Sequence, residues 1–140
     1  MPSVYTRIMA GELPARFVWS DDLCVAFLTI RPLRPGHTLI VPRREVDHWL
    51  DLDPPLLDHL MGVAHQLGRA LQHGFNPVKV GMILAGLEVP HVHIHLVPIW
   101  TMAHLDWARV DRNPRPEEMD QAAETIRASL RALGISPAGT

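Results

Sequence analysis

Apolar and polar positions recur along this chain in rhythms that mark most of its elements. Phe17 to Trp19 and Leu23 to Ile30 are apolar runs around the turn residues Ser20, Asp21 and Asp22, and they predict two strands. "RPLRPG" (31–36) follows as a loop, because each proline biases its predecessor toward extended geometry. "HTLIVP" (37–42) reads as a third strand, ended by Pro42. Asp53 then offers an N-cap, with Pro54 at the first helical position. Behind it Leu57, Leu60, Met61, Ala64, Leu67, Gly68 and Leu71 recur with the 3, 4, 7 rhythm of an amphipathic helix. Gly74 marks its C-terminal stop. His59, His65 and His73 fall mostly off that stripe and read as solvated.

Residues 78–84 and 91–97 predict two more strands, joined by the short loop "AGLEVP". The stretch "IWTMAHLDWARVDRNPRP" has two tryptophans and no clear period. A last helix follows, with Met119, Ala122, Ala123, Ile126, Leu130 and Leu133 as its stripe and Gly134 as its end. Glu117 and Glu118 near its start, and Arg127 and Arg131 toward its end, suit the helix dipole. The sum is an α+β fold: a mostly antiparallel five-stranded sheet, one long central helix and a C-terminal helix.

Composition narrows the classes. The 140 residues suffice for one domain with a real core, and 47% hydrophobic content argues against disorder. A formal charge of -2 argues against a nucleic-acid binder, which carries a basic stripe. Cys24 is the single cysteine, so no internal disulfide forms, and its apolar run "LCVAFLTI" reads as a buried, inert thiol. No run approaches the roughly 20 apolar residues of a membrane span, and the first residues lack a signal-peptide core. The expectation is a soluble cytoplasmic protein with no membrane partner. Nine histidines are the one compositional oddity.

Three of them stand in "HVHIHLVP" (91–98), where His91, His93 and His95 alternate with Val92, Ile94 and Leu96. On a strand, i, i+2 and i+4 share a face, so the imidazoles project together and the aliphatics bury opposite. A solvated strand that tolerates any polar residue is the plain reading, and three histidines in register count against it. A metal site is the second, since imidazole is a common zinc ligand. Same-face positions lie about 6.6 Å apart along a strand, so His91 and His95 start about 13 Å apart. Converging them on one ion needs bending, and His37 or Glu88 would serve better as a third ligand. Phosphoryl chemistry is the third: one imidazole attacks phosphorus while its neighbours donate hydrogen bonds to phosphate or leaving group. The "AGLEVP" loop can also bring backbone N–H groups to a phosphate, since Gly86 permits close approach.

"HVHIHLVP" resembles the signature of the histidine triad (HIT) family. The likeness extends through "IMAGELPARFVWSDDLCVAFLTIRPLRPGHTLIVPRREV" and "AGLEVPHVHIHLVP", roughly residues 3 to 100. The expected division is a HIT domain over residues 1–112 and a C-terminal helical extension over 113–140, packed on the same domain, with the tail from Trp100 to Thr140 outside the likeness. The likeness implies a homodimeric hydrolase or transferase acting on the α-phosphate of a nucleotide-type phosphoramidate or phosphoanhydride, its small-molecule partner being a nucleotide or phosphate ester, with no cofactor. By position His93 would be the nucleophile that forms a phospho-histidine, its other ring nitrogen held by a backbone carbonyl. His95 and His37 would hydrogen-bond the phosphate and leaving group, and His91 would support the strand. Thr29, Ile30, Leu87, Glu88 and Val89 would be the nucleotide-binding positions, Glu88 through its backbone N–H. Trp100, His104 and Trp107 would either shape the leaving-group side or serve dimer packing.

The departures carry information too. Many members bind structural zinc where this chain has Ser3, Thr6, Glu45 and His91, a poor zinc set, so zinc is expected to be absent and packing to stabilise the N-terminus. Thr29 stands where similar proteins hold ribose hydroxyls with an acid, and Leu87 where they have glutamine. Their usual asparagine has no clear counterpart in "KVGMILAG". The phosphate chemistry looks intact, and the nucleoside pocket looks rebuilt.

Overall fold

A computed structural model describes residues 1–137. Its elements in chain order are α1 (Val4–Met9), β1 (Phe17–Ser20), β2 (Cys24–Leu28), β3 (Thr38–Pro42), α2 (Pro54–Phe75), β4 (Lys79–Ile83), β5 (Ile94–Ile99) and α3 (Pro116–Ala132), with short 3-10 turns at Trp49–Asp51, Met102–Leu105 and Trp107–Arg109. The five strands form one antiparallel sheet in the order β1-β2-β3-β5-β4. This is the expected α+β architecture.

Alternation along β2 and β3 divides the core into two parts. Cys24, Ala26, Leu28 and Ile40 join the large cluster under α2 and α3. Val25, Phe27, Leu39 and Val41 face the other way and pack with Tyr5 of α1. Both faces of these central strands are therefore covered. α1 carries no periodic signal long enough to read from sequence, and it forms because Ser3 caps it by accepting the Thr6 N–H.

The central helix runs two residues past its expected stop. Its C-cap is Asn76 in the left-handed conformation (φ 50°), not Gly74. Gly74 serves the α2–α3 contact instead: a Cβ there would meet Ser129 Oγ and Thr125 Cγ2 at 2.7 Å. The buried stripe is also wider than the expected one. Val63 and Ala70 are inside while Met61 is exposed, because α2 is packed by the sheet on one side and α3 on the other. On α3, Ser129 is buried and Leu133 only partly so.

Two histidines expected to be solvated are engaged. His59 Nε2 lies 2.8 Å from Asp21 Oδ2, and His73 Nδ1 lies 3.1 Å from Ser129 Oγ. His65 is exposed as expected.

The triad segment differs most from a plain strand. β5 begins at Ile94, three residues later than its alternation suggests. Upstream, the His91 N–H closes a tight turn onto Val89 O (2.8 Å), and the Val92 N–H reaches Val46 O (2.7 Å), so neither joins the ladder. Alternation survives all the same: Val92, Ile94 and Leu96 enter the core under α2. The histidine face is not open to water, since His91 is 0% exposed and His93 3% exposed.

Candidate active site

His95 reaches the site from β5, directly opposite Leu39 of β3, so it shares the sheet face that carries Phe27 and Tyr5. His37 comes from the residue before β3 and is 1% exposed. Its Nε2 lies 2.9 Å from His95 Nδ1. The loop "RPLRPG" folds so that the Leu33 N–H points at His37 Nδ1, 3.0 Å away. An amide N–H can only donate, so His37 Nδ1 accepts and its proton sits on Nε2. That proton is donated to His95 Nδ1, which leaves His95 with Nε2–H as its free donor.

His93 is set the opposite way. Its Nδ1 lies 2.8 Å from the carbonyl oxygen of His91, and a carbonyl can only accept. Nδ1 therefore carries the proton, and Nε2 keeps an unshared pair. The His93 and His95 rings are edge-on at 4.8 Å between centroids. One lone pair and one N–H donor thus stand side by side.

Burial keeps all three rings neutral. It lowers His37 from 6.5 to about 3, with the neighbouring His95 and His93 adding to the effect. It lowers His95 to about 4, again with a contribution from His93. His93 is lowered too, by burial first and by His91, although its bond to the His91 carbonyl and the Glu88 charge oppose that.

A cavity of about 510 Å³ opens on this face. His93 and His95 line it, together with Thr29, Ile30, Glu88 and Val89. Leu87 does not: it is 93% exposed and stands outside the cavity. His37 and His91 lie behind the lining side chains. Trp107 also lines the cavity, its ring edge-on to His95 at 5.0 Å. Trp100 and His104 pack edge-on against each other instead, with the Arg34 guanidinium 5.0 Å above the Trp100 ring. Tyr5 is a wall residue with no signal in the sequence, because the six residues of α1 are too few to show a period. Its ring lies edge-on to His93 at 5.0 Å, and burial, then Glu88, raises its hydroxyl to about 12.

His91 belongs to a separate network. Its Nε2 donates to Pro42 O (2.8 Å), so Nδ1 must accept from Ser3 Oγ at 2.6 Å. Glu45 Oε1 receives both the Ser3 N–H and the Thr6 hydroxyl at 2.7 Å. Those amide and hydroxyl donors hold the Glu45 carboxyl below its usual range. Ser3, Thr6, Glu45 and His91 thus meet in space, and their donors and acceptors satisfy one another. One imidazole, one carboxylate and two hydroxyls do not fit a structural zinc ion, which takes Cys and His. Among the described residues, a second cluster joins Asp21, Cys24 and His59. The Asp21 carboxylate there already accepts from Trp19 Nε1 and from the Leu23 and Cys24 amides, which pulls its pKa down to about 2 against the effect of burial. Burial raises the Cys24 thiol to about 12, in keeping with an inert cysteine.

The HIT domain model matches residues 10–102, which is most of the chain and includes every triad histidine. The chain belongs to the HIT domain family. Among curated HIT-like relatives, an uncharacterized protein of Methanocaldococcus jannaschii is 35% identical over 99 residues, covering 68% of this chain and 77% of that one. Protein hit of Bacillus subtilis is 24% identical over 135 residues, covering 91% and 93%. In fold, this HIT protein matches a hypothetical histidine triad nucleotide-binding protein from Sulfolobus tokodaii, with TM-score 0.82, 22% identity and 92% of each chain covered. It also matches a zinc-bound histidine triad protein from Mycobacterium smegmatis, with TM-score 0.79, 23% identity and 94% of each covered.

Proposed function

We propose that this HIT protein hydrolyses, or transfers from, nucleotide phosphoramidates or phosphoanhydrides at the α-phosphate, with His93 as nucleophile. The pairing of a His93 Nε2 lone pair with a His95 Nε2–H donor in one cavity carries this reading. Family membership supports nucleotide chemistry in general, and the geometry supports these roles.

In the first step His93 Nε2 forms a bond to phosphorus as the bond to the leaving group breaks. The leaving group departs with that electron pair and a proton from solvent. His95 Nε2–H donates a hydrogen bond to the anionic oxygen or departing atom, where charge develops. Water then attacks the same phosphorus. The P–Nε2 bond breaks, its electron pair returns to His93, and the water proton returns to solvent. A second nucleophile in place of water makes the same sequence a transfer. His37 and His91 position the other two, and imidazoles alone carry the bond breaking.

The test offers adenosine 5′-phosphoramidate to wild type and His93→Ala. Wild type should release ammonia and show a quench-trapped phospho-histidine, in the presence or absence of a chelator. Undiminished turnover by His93→Ala would overturn the proposal. An activity abolished by chelation would point to metal-dependent hydrolysis by the same histidines. Nucleotide binding with no turnover across a phosphoramidate panel would mark a non-catalytic binder.

A further inference from the structure

The cavity has a charged rim that the proposed chemistry does not use. Arg31 and Arg112 both line it, and both are exposed. Neither guanidinium has a hydrogen-bond or ion-pair partner among the described residues. Other arginines nearby are engaged: Arg109 faces Asp106 at 3.9 Å, Arg115 faces Glu118 at 3.7 Å, and Arg34 covers Trp100. The two free ones come from segments far apart in sequence. A single backbone bond joins those segments, since the Asp111 N–H donates to Pro32 O at 2.9 Å. Its two ends sit one residue from Arg112 and one residue from Arg31.

Thr29 sharpens the point. It lines the same cavity, and its hydroxyl accepts the Arg31 N–H at 3.3 Å. A neutral hydroxyl there neither neutralises Arg31 nor repels an anion. Glu88 is the one acidic residue on the lining, and its field falls on Tyr5 and His93. The reacting phosphate is served by His93 and His95, so two unpaired guanidiniums suit a different anionic group. Guanidinium forks fit phosphate oxygens closely, two bonds at a time.

We propose that Arg31 and Arg112 form an anion subsite in the His93 cavity, one that takes a second phosphate carried by the substrate in addition to the scissile one. This rests on the nucleotide reading above and narrows it to nucleotides that carry a second phosphate outside the scissile linkage; the sugar hydroxyls are where such a phosphate stands clear of the leaving group.

The test is calorimetric binding of AMP, adenosine 2′,5′-bisphosphate and adenosine 3′,5′-bisphosphate to the full chain. One bisphosphate should bind at least about tenfold tighter than AMP, a charge-assisted pair of hydrogen bonds being lost without it. That preference should shrink with added salt and fall toward one in the double variant Arg31→Gln, Arg112→Gln. The double variant Arg31→Lys, Arg112→Lys should keep part of it, which separates charge from shape. Equal binding of all three nucleotides, or an undiminished preference in the glutamine variant, overturns the subsite while leaving the phospho-histidine chemistry standing. Failure of all three to bind, with no trapped phospho-histidine from any phosphoramidate, overturns the nucleotide reading and this one with it.

Discussion

Leu33 and His37 are joined by a hydrogen bond of 3.0 Å from the Leu33 amide to His37 Nδ1. That one bond sets the polarity of a relay: amide N–H to His37, His37 Nε2–H to His95, His95 Nε2–H to the cavity. Protonating His95 on Nδ1 would turn His37 over and leave its Nδ1–H facing an amide N–H. His95 is therefore built as a neutral hydrogen-bond donor.

His37→Gln should lower kcat by about 100-fold, because a donor displaced by about an ångström loses that much. KM should change far less, since His37 lies behind the lining side chains. Steady-state kinetics on a phosphoramidate decide it. A wild-type kcat in the variant would show that the relay does not position His95.

The same burial predicts a pH dependence of stability. His37 and His95 titrate near 3 and 4 when folded, against 6.5 unfolded. Below 6.5 the unfolded chain takes up protons that these two sites refuse. Stability is thus complete above pH 6.5 and falls as pH drops toward 4. Each site adds a slope approaching about 1.4 kcal/mol per pH unit. Urea unfolding at pH 7.5 and 4.5 should show a shallower loss for His95→Asn than for wild type. Identical slopes would rule out His95 as a source of the effect.

Two glycines of α2 should respond in opposite ways to alanine. Gly74→Ala forces a Cβ to 2.7 Å from Ser129 Oγ and Thr125 Cγ2 and should cost about 1–3 kcal/mol. That outweighs the gain in helix propensity of about 1 kcal/mol. Gly68→Ala meets nothing within 4 Å and should keep the gain. Thermal unfolding of both variants checks the sign. Stabilisation by Gly74→Ala would contradict the close α2–α3 approach.

Ser3→Ala should cost about 1–3 kcal/mol, because it strands the buried His91 Nδ1 without a donor. The converging quartet also makes a constructive prediction. The triple variant S3C, T6C, E45H places Cys, Cys and His around His91 and should bind zinc in a 1:1 ratio, read by elemental analysis after dialysis. A zinc-free triple variant that still folds would mean that the four positions do not converge.

Much of this was legible in the sequence, because alternation and helical rhythm are local properties of the chain. The strands, the two long helices and the inward pairing of Val92, Ile94 and Leu96 follow from period alone. The triad and "PGHTLIVP" mark His37, His93 and His95 as candidates from local sequence alone. Other features were decided only when distant segments met. α1 is too short to signal itself, so Tyr5 beside His93 was invisible. Gly74 looks like a stop signal, and only the approach of α3 makes it a contact point. Tautomers depend on which carbonyl or amide faces each ring, and the Leu33 amide and the His91 carbonyl take their places only in the folded loops. Arg31 and Arg112 lie 81 positions apart by number. Composition counts such charges without locating them, and it is the bond from Asp111 to Pro32 that brings them to one cavity.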